Sequence, residues 1–327
     1  MKLISVIIPV FNLENYIVTC LDSIYSQGVN EDLFEVIAVN DGSSDNSLER
    51  LKDYAAKHSN LKVLSQNNGG VSVARNNAIK KSESLYVSFL DADDMMAEGA
   101  LNVLCEIIND KDGMFDVCYC RSFIKYDNNK LVETHLWQEY FQEGFIYNGN
   151  DITSVNYMNG GSVCGGIYKL SYLKEKVLFF GEGIANGEDT IFNYMLFAKN
   201  PRIMFLNQTF NFVTDRPESA SHSYSMSRVE KFRPAMLYLI DYYNTKEMSD
   251  ADKQALDASV YHIISLAVNM YIQVGGKNYS RIKNLLAIRN VWHLNVPWLP
   301  KNQRMKISIL NMSFFLYYLL LRIKNRK

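Results

Sequence analysis

The sequence holds 327 residues, 48% of them hydrophobic and 21% charged, with 17 Gly and 6 Pro. A chain of that length buries the core of one large domain with an appendage, or of two domains, and the composition excludes a disordered or collagen-like protein. Net charge is −1, but from Ala258 to Lys327 there are 11 Lys and Arg and no acidic residue, against 23 basic and 35 acidic residues before it. An acidic body with a basic tail predicts an anionic surface as partner.

The N-terminal MKLISVIIPVF carries one Lys and is interrupted by Pro9, so it reads as a first strand rather than a signal peptide. Strand-like runs follow at Phe34 to Asn40, Leu61 to Ser65, Leu85 to Leu90 and Phe115 to Arg121. Between them, Leu13 to Gln27, Asn46 to His58, Val71 to Lys81 and Ala97 to Asn109 have helical periodicity. This alternation predicts an α/β fold with a mainly parallel, doubly wound sheet and a ligand site at the carboxyl ends of its strands. The five cysteines have no framework spacing, and Cys118-Tyr-Cys120 is too tight for a zinc knuckle, so reduced thiols in a cytoplasm are expected.

Beyond about Ser221 the pattern turns helical, with apolar spacing over Val229 to Tyr243, Asp252 to Val274 and Tyr279 to Ile288. The boundary is placed at 224/225, giving a catalytic domain over 1–224 and a helical, basic region over 225–327. Its last stretch, Ile307 to Leu321, is uncharged and flanked by Lys and Arg. At 1.5 Å per residue it covers roughly 22 Å, short of a hydrocarbon core of about 30 Å, so it reads as lying in a bilayer interface. A packed core helix or a homo-oligomer contact is the alternative.

Three segments follow strands and carry chemistry. In Leu90-Asp-Ala-Asp-Asp94 alternation puts Asp91 and Asp93 on one face of the strand end, where their repulsion calls for a cation. An oxygen-only pair suits Mg²⁺ or Mn²⁺. A solvated loop with Asp93 or Asp94 capping the next helix is the bland alternative. In Asn40-Asp-Gly-Ser-Ser-Asp-Asn46 a tight turn presents backbone donors and a carboxylate, suited to a ribose or base edge. In Asn67-Asn-Gly-Gly-Val-Ser-Val-Ala-Arg75 a glycine pair leads into a helix whose Arg75 suits a diphosphate, a base carbonyl or a surface salt bridge.

Taken in order, Ser5-Val-Ile-Ile-Pro-Val-Phe-Asn12 with Glu14, Val39-Asn-Asp-Gly-Ser-Ser-Asp45, Gly70-Val-Ser-Val-Ala-Arg-Asn76, Leu90-Asp-Ala-Asp-Asp94 and Gly187-Glu-Asp-Thr-Ile-Phe192 resemble the signature of family 2 inverting glycosyltransferases of GT-A fold, the bacterial cell-surface polysaccharide type. The resemblance covers roughly residues 1 to 215. It implies a Rossmann-like nucleotide-sugar-binding domain whose nucleotide pocket is lined by Pro9, Phe11, Glu14, Asp41 and Arg75, usually for UDP. Phe11 stands where tyrosine is commoner, keeping a ring for the base without the hydroxyl.

The resemblance further implies Asp91-Ala-Asp93 as the DXD motif, with Asp93 the direct ligand of Mn²⁺ or Mg²⁺ and Asp91 nearer the ribose or metal-bound water. Asp189 is implied as catalytic base, against simple helix capping by Glu188 and Asp189. Asp215-Arg-Pro-Glu-Ser-Ala-Ser-His222 is similar to a flap over the diphosphate, with Arg216 as phosphate clamp and His222 as a further metal ligand.

The expected activity is hexosyl or N-acetylhexosaminyl transfer from a UDP-sugar to a hydroxyl of a lipid-linked saccharide acceptor, at the inner face of the cell membrane. A non-catalytic nucleotide-sugar-binding scaffold subunit is the alternative. A dehydrogenase is excluded by Pro9-Val-Phe-Asn12 in place of a glycine fingerprint, and no reader motif points to nucleic acid.

Overall fold

The computed structural model describes residues 1–111, 113–121, 124–127, 130–133, 141–149, 162–214 and 225–325. Contact density divides the chain into two compact units: Met1–Asn148 with Ser162–Glu182 and Pro201–Asp215, and Gly149–Gly161 with Gly183–Asn200 and Arg216–Lys327.

The first unit is built on strands β1 (Ile4–Val10), β2 (Phe34–Asp41), β3 (Leu61–Gln66), β4 (Tyr86–Phe89), β5 (Met95–Met96), β6 (Val117–Arg121), β7 (Ile124–Asp127), β8 (Lys130–Glu133), β9 (Ile146–Asn148), β10 (Gly166–Lys169), β11 (Arg202–Thr209) and β12 (Asn211–Val213). Among the described residues one sheet runs β3-β2-β1-β4-β10-β6-β11-β9 and a smaller one β5-β12-β7-β8. β3, β2, β1 and β4 are parallel, β10 is antiparallel to both its neighbours, and β11 returns to parallel pairing with β6. β1 and β2 are apolar along almost their whole length because both faces are covered, as parallel strands require.

Helices α1 (Ile17–Tyr25), α2 (Ser47–Ala55), α3 (Val71–Lys81) and α4 (Ala100–Lys111) follow β1, β2, β3 and β5. The core between sheet and helices draws Ile4, Val6, Ile8, Leu21, Ile24, Leu101 and Leu104 together. A short helix α5 (Leu170–Glu175) follows β10. Parallel pairing of β3, β2, β1 and β4 brings the loops that follow them to one edge of the sheet, where the sequence motifs lie.

The second unit contains α6 (Glu188–Ala198), α7 (Met226–Glu230), α8 (Phe232–Thr245), α9 (Asp250–Gln273), α10 (Tyr279–Leu285), α11 (Lys301–Met312) and α12 (Phe314–Lys324). The stretch expected as one helix over Val229 to Tyr243 breaks at Lys231, and Pro234 sits in the first turn of α8, where its missing N–H costs nothing. α9 is apolar and long, but 72% of its most apolar window is buried inside the protein, which makes it the unit's central core helix. Ser249 caps it, accepting from Asp252 N at 3.2 Å.

The C-terminal stretch differs from the continuous interfacial segment expected over Ile307 to Leu321. Ser313 leaves helical conformation and its hydroxyl accepts from Leu316 N, so one helix ends and another starts there. Phe314, Tyr317, Tyr318 and Leu321 are buried in the unit, whereas Phe315, Leu316, Leu320 and Ile323 stand exposed. α12 therefore has two apolar stripes, one spent on the core and one facing out.

Candidate active site

Four strand ends of the first unit supply the site. β1 delivers Pro9 and Val10, then Phe11, which is 47% exposed. The next residues are fastened to the turn after β2. Asn12 N donates to Ser43 Oγ at 3.0 Å, Ser44 N to Asn12 Oδ1 at 2.8 Å, Leu13 N to Ser47 Oγ at 2.9 Å and Glu14 N to Asp45 Oδ2 at 3.0 Å. Glu14 Oε2 in turn accepts from the backbone and side chain of Asn46 at 3.0 and 2.7 Å. Glu14 thus joins the loop after β1 to the start of α2.

Asp41 ends β2 and is buried. Its Oδ1 accepts from Gln66 Nε2 at 2.8 Å and Gly69 N at 2.7 Å, and its Oδ2 from Gly70 N at 2.8 Å. The amides of the glycine pair therefore point at Asp41, and the carboxylate binds the loop before α3 to the sheet. Gly42 has φ +73°, and a Cβ there would meet the backbone N of Asn68 at 2.8 Å, so this turn requires glycine.

On α3, Arg75 and Asn76 are both buried. Arg75 Nη2 donates to Asp91 Oδ1 at 3.0 Å, and its guanidinium carbon lies 5.1 Å from the Phe180 ring centre and 5.9 Å from that of Phe89. Asn76 closes two hydrogen bonds with Phe180, donating to its carbonyl at 2.9 Å and accepting from its N–H at 2.8 Å. The polar residues of this motif fix neighbouring segments rather than lining open space.

β4 runs into Asp91, Ala92, Asp93 and Asp94. Asp91, with a side chain 42% exposed, faces outward beside Arg75. Asp94 turns inward, accepting from Asn211 Nδ2 at 3.2 Å and Thr214 N at 3.0 Å. Burial first, and then the neighbouring carboxylates of Asp91 and Asp93, push its pKa up to about 8. Asp94 does not cap α4; it ties the end of β12 to the carboxylate loop. A third acid in the run was visible in the sequence, but its inward direction depends on β12, which pairs with β5 across more than a hundred residues.

Pro9, Val10, Phe11, Leu13, Asp41, Val71, Asp91, Ala92 and Asp93 surround one cavity of about 160 Å³. Of the residues singled out from sequence, it brings together Pro9, Phe11, Asp41, Asp91 and Asp93. Glu14 and Arg75 are absent from its lining and act from behind. Val71 and Leu13 join the lining without having been singled out, since apolar residues at such positions look like any core residue in sequence. Asp189 lies in the first turn of α6, in the second unit, half-buried after Gly187. Arg216, His222 and Gly160-Gly161 lie outside the described residues.

An open cavity at the carboxyl ends of parallel strands, ringed by an exposed ring, a hydrogen-bonded aspartate and two outward carboxylates, suits a nucleotide carrying phosphate and a hard cation. The model of glycosyl transferase family 2 matches residues 5–167, the segment containing every one of these groups. The chain belongs to glycosyl transferase family 2.

Relatives within the family include the glycosyltransferase EpsJ of Bacillus subtilis, 27% identical over 264 residues covering 79% of this chain and 74% of EpsJ. The poly(ribitol-phosphate) β-N-acetylglucosaminyltransferase TarS of Staphylococcus aureus is 27% identical over 254 residues, 77% of this chain but 42% of TarS. This chain thus spans about two fifths of the length of that relative. The crystal structure of TarS residues 1–349 with UDP-GlcNAc aligns with 100% of this chain and 92% of its own, at a TM-score of 0.74 and 23% identity. The mannosyltransferase PcManGT of Pyrobaculum calidifontis, solved with GDP-Man and Mn²⁺, aligns with 99% of this chain and 88% of its own, at a TM-score of 0.51 and 15% identity. These likenesses establish the GT-A fold for the chain.

Proposed function

We propose that this family 2 glycosyltransferase moves a sugar from a UDP-sugar to a hydroxyl of a saccharide acceptor, with inversion at the anomeric carbon, in cell-surface polysaccharide synthesis. The observation that carries the reading is the convergence of Asp91 and Asp93 with Phe11 and Asp41 on one cavity at the strand ends. TarS, a poly(ribitol-phosphate) β-N-acetylglucosaminyltransferase solved with UDP-GlcNAc, supports the donor class and the polymer class.

The donor set fits a divalent cation. Asp91 and Asp93 offer oxygen only, and their charges add to burial in raising the pKa of Asp94 beside them. Asp93 would hold Mn²⁺ or Mg²⁺, with Asp91 toward the ribose and His222 as a further ligand. When bound, the ion supplies Lewis-acid stabilisation of charge on the leaving diphosphate. Phe11 offers its ring to the base, Arg216 clamps phosphate, and Asp189 takes the acceptor's hydroxyl proton as that oxygen attacks opposite the diphosphate. A single displacement turns an α-linked donor into a β-linked product.

A panel of UDP-sugars, followed by UDP release with Mn²⁺ and by NMR of the product anomeric proton, tests the reading. A β-linked product formed by the wild type and lost in Asp189→Asn is expected; an α-linked product, or unchanged turnover in the variant, overturns it.

The location we propose is the cytoplasmic face of the cell membrane, reached through the C-terminal region. The 11 basic residues between Ala258 and Lys327, a stretch without an acid, and the outward Phe315, Leu316, Leu320 and Ile323 of α12 support attachment to anionic lipid. Such attachment would bring the enzyme to a lipid-linked acceptor.

A further inference from the structure

The second unit contains a cavity of about 420 Å³ at the junction of α10, the turn Ile288–Asn290 and the α11–α12 corner. Lys283, Arg289 and His293 lie on its wall, and no Asp or Glu does. Asp257, the carboxylate bonded to the lining residue Trp292, accepts from Trp292 Nε1 and from Asn295 N. Among the described residues neither Lys283 nor Arg289 has a salt bridge; Lys283 Nζ rests 5.6 Å from the Tyr279 ring centre. Asn311 Nδ2 lies 3.3 Å from His293 Nε2 and donates to Leu294 O at 2.8 Å. Nε2 accepting from that amide leaves the neutral ring with its proton on Nδ1, so His293 adds a donor.

Unneutralised cations converging on a concave wall are what an anion requires. Ser313 and Phe314, at the positive end of α12, complete the lining and add to the same field. The rim identifies the kind of anion. Met312 is both a lining residue and 78% exposed, and the outward stripe of Phe315, Leu316, Leu320 and Ile323 continues from it along α12. A free anion in water has no use for an apolar rim, whereas a phosphate at a bilayer surface lies beside acyl chains.

We propose that this cavity binds the phosphate of an anionic membrane-lipid headgroup, with the outer stripe of α12 dipping into the interface beside it. The inference rests on the bilayer attachment proposed above and gives it a specific site. Lys283 and Arg289 contact the phosphate oxygens, His293 donates a hydrogen bond, and the exposed apolar residues of α12 bury against lipid.

The test compares full-length wild type with two charge-matched variants, Lys283→Gln/Arg289→Gln in the cavity and Lys301→Gln/Arg304→Gln on α11 outside it. Each is floated with phosphatidylcholine vesicles and with vesicles doped with phosphatidylglycerol, and titrated calorimetrically with soluble glycerol phosphate. Far-UV circular dichroism and thermal melting serve as controls for folding of the second unit, where all four positions lie. The wild type should bind the anionic vesicles, and glycerol phosphate saturably. The cavity variant should lose glycerol phosphate and weaken vesicle binding at least tenfold beyond the α11 variant, which should keep glycerol phosphate.

Equal weakening by the two pairs would mean diffuse charge attraction and overturn the cavity while leaving attachment intact. Glycerol phosphate binding without binding to any vesicle would overturn the lipid assignment in favour of a phosphate-bearing polymer. Absence of wild-type binding to anionic vesicles and to glycerol phosphate alike would overturn the site and the attachment together.

Discussion

Arg75 Nη2 lies 3.0 Å from Asp91 Oδ1, so the first carboxylate of the Asp91–Asp94 run is held by a buried guanidinium packed near Phe180. The pair sets the direction of Asp91 at the cavity and neutralises part of a loop crowded with negative charge. Asp91→Asn keeps the shape but removes the charge that faces Arg75. Breaking a pair with one buried partner costs up to 3–5 kcal/mol; with Asp91 nearly half exposed, a loss of about 1–2 kcal/mol is expected in urea unfolding. Stability unchanged in the variant would show that the pair contributes nothing.

Asp41 accepts three hydrogen bonds, two of them from the amides of Gly69 and Gly70. In Asp41→Asn one oxygen becomes an NH₂ group that faces a donor. A destabilisation of about 2–3 kcal/mol follows from the loss of charge-assisted bonds and an unmatched buried N–H. Hydrogen exchange at Gly69 and Gly70 should speed up in the variant, ahead of exchange in β1.

Much of this arrangement was legible in the sequence. β1 and β2 begin where their apolar runs begin, because residues buried on both faces leave a strong pattern, and β3 and α3 begin where their spacing predicts. Asp41, Asp91 and Asp93 stood out because carboxylates at strand ends contrast with their surroundings. The inward turn of Asp94 and the supporting roles of Glu14 and Arg75 were not legible, since their partners Thr214, Asn46 and Asp91 are fixed only by tertiary packing. The break at Ser313 was hidden by an uncharged stretch without Gly or Pro; only the serine, whose hydroxyl accepts from Leu316 N, marked it.

Val177 occupies φ +54° at the end of α5, where Val177 N reaches Lys174 O at 3.2 Å and Leu178 N reaches Leu173 O at 2.9 Å. This is the left-handed helix terminus usually given to glycine, and a β-branched, exposed side chain strains it. Val177→Gly should raise stability by about 1 kcal/mol, seen as a higher midpoint in thermal melting.

Asp116 receives Arg202 Nε at 3.1 Å, Arg202 Nη2 at 2.7 Å and Arg202 N at 2.9 Å. Burial pushes the Asp116 carboxyl up, but these bonds and the guanidinium charge outweigh it and hold the pKa below its ordinary value. A depressed carboxyl stabilises the fold above its unfolded pKa of about 4, and the contribution disappears as pH falls through the lower folded-state value. Wild type should therefore exceed Asp116→Asn in melting temperature at neutral pH, and the two curves should converge in strong acid. A constant gap down to low pH would exclude the linkage.

The central claim is that the Asp91–Asp93 loop binds a nucleotide diphosphate through a divalent cation. Calorimetric titration of UDP with Mn²⁺, then with a chelator, for wild type and Asp93→Asn, tests it most directly. Saturable binding by the wild type that needs Mn²⁺ and is lost in Asp93→Asn, with melting temperature preserved, is the expected result. UDP binding of equal strength in the chelator, or in the variant with Mn²⁺, would contradict the account.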